Sequence, residues 1–214
     1  MSFVFHSHPE LKDTHALISP SRHILKPGYT KEQFDNYIRS SYARSIGTSI
    51  HALAADLIDA RIKITPKEAI KHIQLQLHRD GIPRNVFDAS EFSQTVSDYV
   101  KDGIGFDLKT EQPLKYSDKA YGTADGIRFN EKRGELIIHD LKTGKVQADM
   151  SQLVAYAALF CLEYHIKPKD IQIILRIYQN GMISELEPKV SDILPVIDQI
   201  IELSKYCVTN YSEV

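Results

Sequence analysis

The feature that most constrains this chain is a pair of short apolar runs separated by four polar residues. Residues 121–130 and 135–141 alternate apolar and polar side chains, and residues 131–134 between them read Glu-Lys-Arg-Gly. Alternation over this length predicts β-strands. A short polar connection that ends in glycine predicts an antiparallel hairpin. This pairing would bring Asp125 of the first strand close to Asp140 of the second.

The second strand presents a carboxylate and an ammonium on one face. Asp140 and Lys142 are two residues apart and share the face of Leu136 and Ile138, because side chains alternate along a strand. Two carboxylates from adjacent strands suit a hard divalent cation, and an ammonium can orient a water or offset the charge of a phosphate. The alternative is an ordinary solvated ion pair, which contributes little. The turn at Gly144, with a helix directly after it, favours a site.

Four segments in a fixed order resemble a known family. They are Gly-Thr-Ser-Ile-His (47–51), Gly-Thr-Ala-Asp (122–125), Asp-Leu-Lys-Thr-Gly-Lys (140–145) and Gln-Leu-Val-Ala-Tyr-Ala (152–157). Together they resemble the PD-(D/E)XK nuclease superfamily, and within it the RecB-like branch, which includes many phage exonucleases. The resemblance covers about residues 47–180. The proline that gives the family its name is absent before the first aspartate, although Gly-Thr-x-Asp is usual in this branch.

The resemblance implies a fold and an activity. The expected fold is α/β, or α+β with a mixed sheet: a restriction-endonuclease-like core whose central sheet is flanked by helices. We expect an N-terminal loop and helix region over residues 1–45 and a nuclease-like domain over residues 46–214, the two together forming one compact unit. The implied activity is metal-dependent hydrolysis of DNA phosphodiester bonds, by an exonuclease of recombination, repair or phage DNA processing.

The resemblance also implies roles for individual residues. The expected catalytic residues are Asp125, Asp140, Lys142 and Gln152. One or two Mg²⁺ or Mn²⁺ ions would be held by Asp125, Asp140, the main-chain carbonyl of Leu141, His51 and Glu111. Lys142 would position or help to deprotonate the attacking water, or stabilise the pentavalent phosphate. The candidate DNA contacts are Tyr156 from the family's helix, Lys145 just beyond the turn, and Arg176 and Gln179 at the end of a later strand.

Several of these residues have a plainer interpretation. A lone histidine such as His51 on a mostly apolar helix is more often a hydrogen-bonded core residue than a ligand. Glu111 is equally well a surface acid. Gln152 and Tyr156 are four residues apart and share a helix face, so either could simply cover the edge of the core.

Composition limits the partners and the cofactors. A net charge of −2 over 214 residues excludes a globally basic nucleic-acid-binding protein, so DNA contacts would need a local basic cluster. Two distant cysteines, Cys161 and Cys207, make an iron–sulfur cluster or a disulfide framework improbable. Four N-terminal histidines (6, 8, 15 and 23) lack the spacing of a helical metal pair and are expected to lie in loops.

The expected location is the cytoplasm, or the host-cell cytoplasm for a phage-encoded protein. No apolar run approaches the ~20 residues needed to span a bilayer, and the N-terminus does not resemble a signal peptide. The expected partner is single- or double-stranded DNA, with a second copy of the chain or a recombination protein as further partners and no membrane. Three alternatives stay open: a nucleic-acid-binding protein of the same fold without cleavage, an RNA-directed nuclease, and a metal-free interaction domain.

Periodicity predicts the remaining elements. Helices are expected from Thr30, over about 45–60, from Pro66 to Gly81, from Ser90, and over about 149–165 and 191–206. Strands are expected over 106–109, interrupted near Pro113, and over 171–178 and 182–186, the last two joined by Asn180-Gly181.

Overall fold

The computed structural model of the protein describes residue 28 and residues 30–211. The chain divides into two compact units, residues 1–41 and residues 42–214. The second unit contains the whole sheet and every candidate site residue. The four N-terminal histidines lie outside the described residues.

The second unit is built on a five-stranded mixed sheet with strand order β1-β2-β3-β4-β5. All neighbouring strands are antiparallel except β3 and β4, which are parallel. The elements in chain order are α1 (Lys31–Asp59), α2 (Pro66–Arg79), α3 (Ser90–Gly105), β1 (Lys109–Ser117), β2 (Ala120–Asn130), β3 (Glu135–Lys142), α4 (Ser151–Glu163), β4 (Gln172–Gln179), β5 (Met182–Leu186) and α5 (Val190–Tyr211). The predicted α/β architecture, with a mixed sheet flanked by helices and a helical N-terminal part, is confirmed.

Helix α4 forms the centre of the main core. It is apolar on nearly every side, as a helix buried between other elements must be, and its buried residues pack against the sheet and against α5. Strands β3 and β4 are buried for most of their length, which is usual for a parallel pair covered on both faces. Two polar residues, His139 and Asp140, therefore lie inside the sheet.

Two predicted elements differ from the structure. The two helices expected before Pro66 are one continuous helix, α1. Gly47 lies inside this helix. A Cβ there would lie 3.1 Å from Oγ1 of Thr143, so the glycine permits close packing. The strand expected over 106–109 instead begins at Lys109 and ends at Ser117. It runs through Pro113 without interruption, because an edge strand tolerates a residue without an N–H.

The other boundaries agree within a few residues. The hairpin turn at residues 131–134 and the turn at Asn180-Gly181 lie where the sequence predicts them. Helix α2 begins with the capping box of Thr65 and Glu68, directly before the proline expected in its first turn. Among the described helices, none combines the length and the apolar character that a membrane crossing requires.

The two cysteines should differ in reactivity. Burial raises the pKa of Cys161 to about 11, so roughly one molecule in a thousand carries its thiolate at pH 8. Cys207 is only half-buried, on α5. A thiol reagent at pH 8 should therefore modify one thiol quickly and the second only after unfolding. Cys207→Ser should abolish the fast phase, and two equally fast thiols would contradict this packing.

Candidate metal centre

Three side chains from three elements converge at one end of the sheet. They are His51 of α1, Glu111 of β1 and Asp125 of β2, and one potential ligand atom of each lies within 4.8 Å of the other two. They line an open cavity of about 610 Å³, together with Gly47 and neighbouring residues of α1. A solvent-accessible group of one imidazole and two carboxylates fits a divalent cation that keeps exchangeable positions.

The sheet is irregular where Glu111 meets Asp125. Strands β1 and β2 pair on both sides of these two residues, in a register that places them opposite each other, but they do not pair at them. Glu111 has a φ of 46°, in the left-handed region. A non-glycine residue there costs on the order of 1–3 kcal/mol, and such strain concentrates at functional sites. The register is the same on both sides of Glu111, so no residue is inserted there, and cross-strand neighbours in this register share a face of the sheet.

The alternation of β2 also breaks at Asp125. Ala124 and Ile127 both belong to the core beneath α4, although residues three apart on a regular strand face opposite sides. Asp125 lies inside this break. Its carboxylate therefore does not follow the regular alternation of β2 between the two faces of the sheet.

The carboxylate of Asp125 takes the place of main-chain pairing between β2 and β3. Their pairing ends at Gly126 and His139. Beyond that point, Oδ2 of Asp125 accepts a hydrogen bond from the main-chain N–H of Leu141 at 3.0 Å. The same oxygen lies 3.2 Å from Nδ1 of His51. Asp125 therefore links α1 to β3.

A second group of side chains forms a connected row beside the first. The ammonium of Lys142 lies 3.0 Å from Oδ2 of Asp140 and donates to Oε1 of Gln152 at 2.6 Å. Nε2 of Gln152 donates in turn to the hydroxyl of Tyr156 at 3.3 Å. A Cβ on Gly122 would lie 2.9 Å from the Tyr156 ring, so the first glycine of Gly-Thr-Ala-Asp makes room for that ring.

Negative charge at the site exceeds what the protein neutralises. The side chain of Asp140 is 3% exposed, and the one charge that faces its Oδ2 among the described residues is the ammonium of Lys142, at 3.0 Å. Burial, and then the charge of Asp125, raise the pKa of Asp140 to about 6 against the opposing effect of Lys142. Burial and the charge of Asp125 also raise the pKa of Glu111.

The histidine responds to the same charge. Burial disfavours its charged form, but the hydrogen bond to Asp125 and the charges of Asp125, Asp140 and Glu111 outweigh burial, so the pKa of His51 is raised. A divalent cation would relieve the repulsion among the carboxylates and would replace the proton on the imidazole. The residues present therefore fit a bound cation.

The structure brings most of the predicted site residues together. His51, Glu111 and Asp125 form the metal-ligand group, and Asp140 lies outside that group in the Lys142 row. Leu141 contributes its N–H to Asp125. Lys145 is 87% exposed and lies 3.9 Å from Glu91.

Arg176 and Gln179, expected near DNA, have partners inside the protein. Arg176 lies over the ring of Phe106, at 4.7 Å from its centroid, and forms ion pairs with Asp102 and Glu185. Gln179 is buried, and its side-chain amide bonds the main chain of residues 144, 146 and 148. It thereby fixes the loop between β3 and α4. Sequence reasoning missed this role, since only the register that sets Gln179 beside Lys142 reveals it.

Known proteins give no guide to this site: no protein-family model matches the chain, and no curated protein matches it. The donor set itself indicates the class of metal. Carboxylates with one imidazole and no thiolate favour hard or borderline divalent ions such as Mg²⁺ and Mn²⁺ over softer ones. Neither cysteine belongs to the group.

Mn²⁺ should stabilise the protein through this group. At about one hundred times its dissociation constant, the ion should raise the melting temperature by about 5–10 °C. Asp125→Asn keeps the acceptor for Leu141 but removes the charge, so it should lose most of this rise in differential scanning fluorimetry. Asp170→Asn, an exposed residue before β4, serves as the control. Equal rises in the two variants would contradict a metal site at Asp125.

Proposed function

We propose that this protein is a Mg²⁺- or Mn²⁺-dependent nuclease that hydrolyses phosphodiester bonds in DNA. The observation that carries the proposal is the position of the metal-ligand group beside the row of Asp140, Lys142, Gln152 and Tyr156. Independent support comes from the order of the four motifs, which resembles that of RecB-like PD-(D/E)XK nucleases. A restriction-endonuclease-like core is part of the same proposal.

His51, Glu111 and Asp125 would hold the cation. Asp140, whose Oδ2 lies 3.0 Å from the ammonium of Lys142, would be a further ligand. When bound, the ion would supply Lewis-acid stabilisation of the phosphate and would activate the attacking water. The phosphate esters of DNA are anionic, so a site rich in carboxylates needs this positive charge before it can accept them.

Lys142 supplies the protein's own positive charge. An ammonium has three donors; one lies towards Asp140 and one bonds Gln152, so a third remains to direct at the attacking water or at a phosphate oxygen. Gln152 fixes the position of the ammonium, and Tyr156 fixes Gln152. In this arrangement Lys142 acts on the reacting groups, whereas Gln152 and Tyr156 position it.

Exonuclease action is the mode that we propose, on the basis of the resemblance and of the absence of a recognisable sequence-reading module. Cleavage of linear but not circular DNA would distinguish this mode from an endonuclease. A protein that binds DNA tightly and cuts neither form would be the non-catalytic alternative. Cleavage of RNA and not of DNA would show that the protein is an RNA-directed nuclease.

Lys142→Ala should lower cleavage of end-labelled linear DNA by about 10²–10⁴-fold, since it removes a charge that acts in the transition state. Lys169→Ala, an exposed lysine before β4 at the other end of the sheet, should cut like the native protein. Both variants should bind Mn²⁺. Lys169→Ala should melt like the native protein, whereas Lys142→Ala should melt at a lower temperature, because it leaves the buried carboxylate of Asp140 without its ion pair. Unchanged cleavage by Lys142→Ala would remove this residue from the mechanism, and cleavage of neither DNA by the native protein would overturn the proposed activity.

A further inference from the structure

A second cavity lies beside the metal centre, on the other side of the loop that follows β3. It has a volume of about 420 Å³ and is lined by Glu91, Phe92, Thr143, Lys145 and Asn180. We propose that this cavity is a substrate subsite, which rests on the nuclease function above. It receives the nucleic-acid strand next to the scissile phosphate: Phe92 stacks on a base, Lys145 binds a phosphate, and Glu91 competes with that phosphate for Lys145.

The subsite is continuous with the metal centre. Thr143 lines the second cavity, and its hydroxyl packs against Gly47, which lines the first. Lys142 and Lys145 are three residues apart, so their Cα atoms are separated by at most about 10 Å. Successive phosphates of one strand rise about 3.4 Å along the axis of a duplex. Phosphates of neighbouring nucleotides can therefore lie at Lys142 and at Lys145.

The walls of the subsite are held in place before any substrate binds. Gln179 donates to the carbonyls of Gly144 and Val146, at 2.6 and 2.8 Å, and accepts from the N–H of Ala148 at 2.9 Å. The turn that carries Asn180 is tied to α3, because the N–H of Gly181 donates to Oγ1 of Thr95 at 2.7 Å. A preformed site loses less conformational entropy on binding.

The chemistry of the lining suits a nucleotide. Phe92 is half-buried and offers an aromatic surface, on which any base can stack whatever its identity. Lys145 is 87% exposed and offers an ammonium to a phosphate. An aromatic ring that stacks on a base, beside a cation that meets the phosphate backbone, is the combination by which proteins bind single strands without reading sequence.

Glu91 is the one residue of the subsite whose removal should strengthen substrate binding. Its carboxylate lies 3.9 Å from the ammonium of Lys145, and both side chains are largely exposed, so the pair is weak and easily broken. The carboxylate also repels a phosphate that approaches Lys145. Removing the charge of Glu91 should therefore strengthen substrate binding, while removing Lys145 or the ring of Phe92 should weaken it.

The test measures KM and kcat for cleavage of a fluorescein-labelled single-stranded oligonucleotide with Mg²⁺. Phe92→Ala and Lys145→Ala should each raise KM by about tenfold and leave kcat within about twofold. Glu91→Gln should lower KM by about threefold. The controls are Lys169→Ala and Glu202→Gln, two exposed residues far along the chain. Phe92→Leu, which keeps an apolar side chain without the ring, should also raise KM and guards against misfolding in the alanine variant.

Native cleavage with KM values in all variants equal to those of their controls would overturn the subsite and leave the nuclease function intact. A fall in kcat at unchanged KM, or a Glu91→Gln variant that binds more weakly, would also overturn it. A native protein that neither binds nor cleaves the oligonucleotide would overturn the nuclease function and the subsite together.

Discussion

At Asp125 the main-chain pairing of β2 and β3 ends, and a carboxylate takes its place. Oδ2 of Asp125 accepts the N–H of Leu141 and lies against the imidazole of His51, so one oxygen joins α1, β2 and β3. Opposite it, Glu111 adopts a left-handed conformation within β1. Residues directly opposite each other on paired strands share a face of the sheet, so the register places both acids on one side. Together with His51 they line one cavity, and the rest of the site is arranged around it.

The site concentrates negative charge that the protein does not neutralise by itself. A carboxylate buried as deeply as Asp140 is costly unless it is paired and hydrogen-bonded, and here a single ammonium shares its charge between Asp140 and the amide of Gln152. Burial, and then the charge of Asp125, raise the pKa of Asp140 and of Glu111, whereas the hydrogen bond to Asp125 and the neighbouring carboxylate charges raise the pKa of His51 against the effect of burial. A divalent cation would offset this charge, and bound phosphate would then meet a neutral or positive surface. The proposed subsite at Lys145 extends that surface along the strand.

Sequence patterns predicted the parts of this site that depend on local order. Alternation and turn residues located the β2–β3 hairpin and the face shared by Asp140 and Lys142, and helical spacing placed Gln152 and Tyr156 together. The features that the sequence patterns did not predict depend on tertiary contacts. The face switch at Asp125 interrupts the periodicity on which strand prediction relies. The contact between Gly47 and Thr143 and the partners of Arg176 and Gln179 join segments that are distant in the chain.

The most direct test of this account is anomalous diffraction from crystals of the protein soaked in Mn²⁺. The account predicts a peak within coordination distance, about 2.0–2.6 Å, of His51, Glu111 and Asp125. It predicts that the peak is lost in Asp125→Asn, while the main chain of β1 and β2 keeps its interruption. A peak elsewhere, or none in a crystal where these three side chains keep their positions, would contradict the claim that the interruption of the sheet exists to hold a cation.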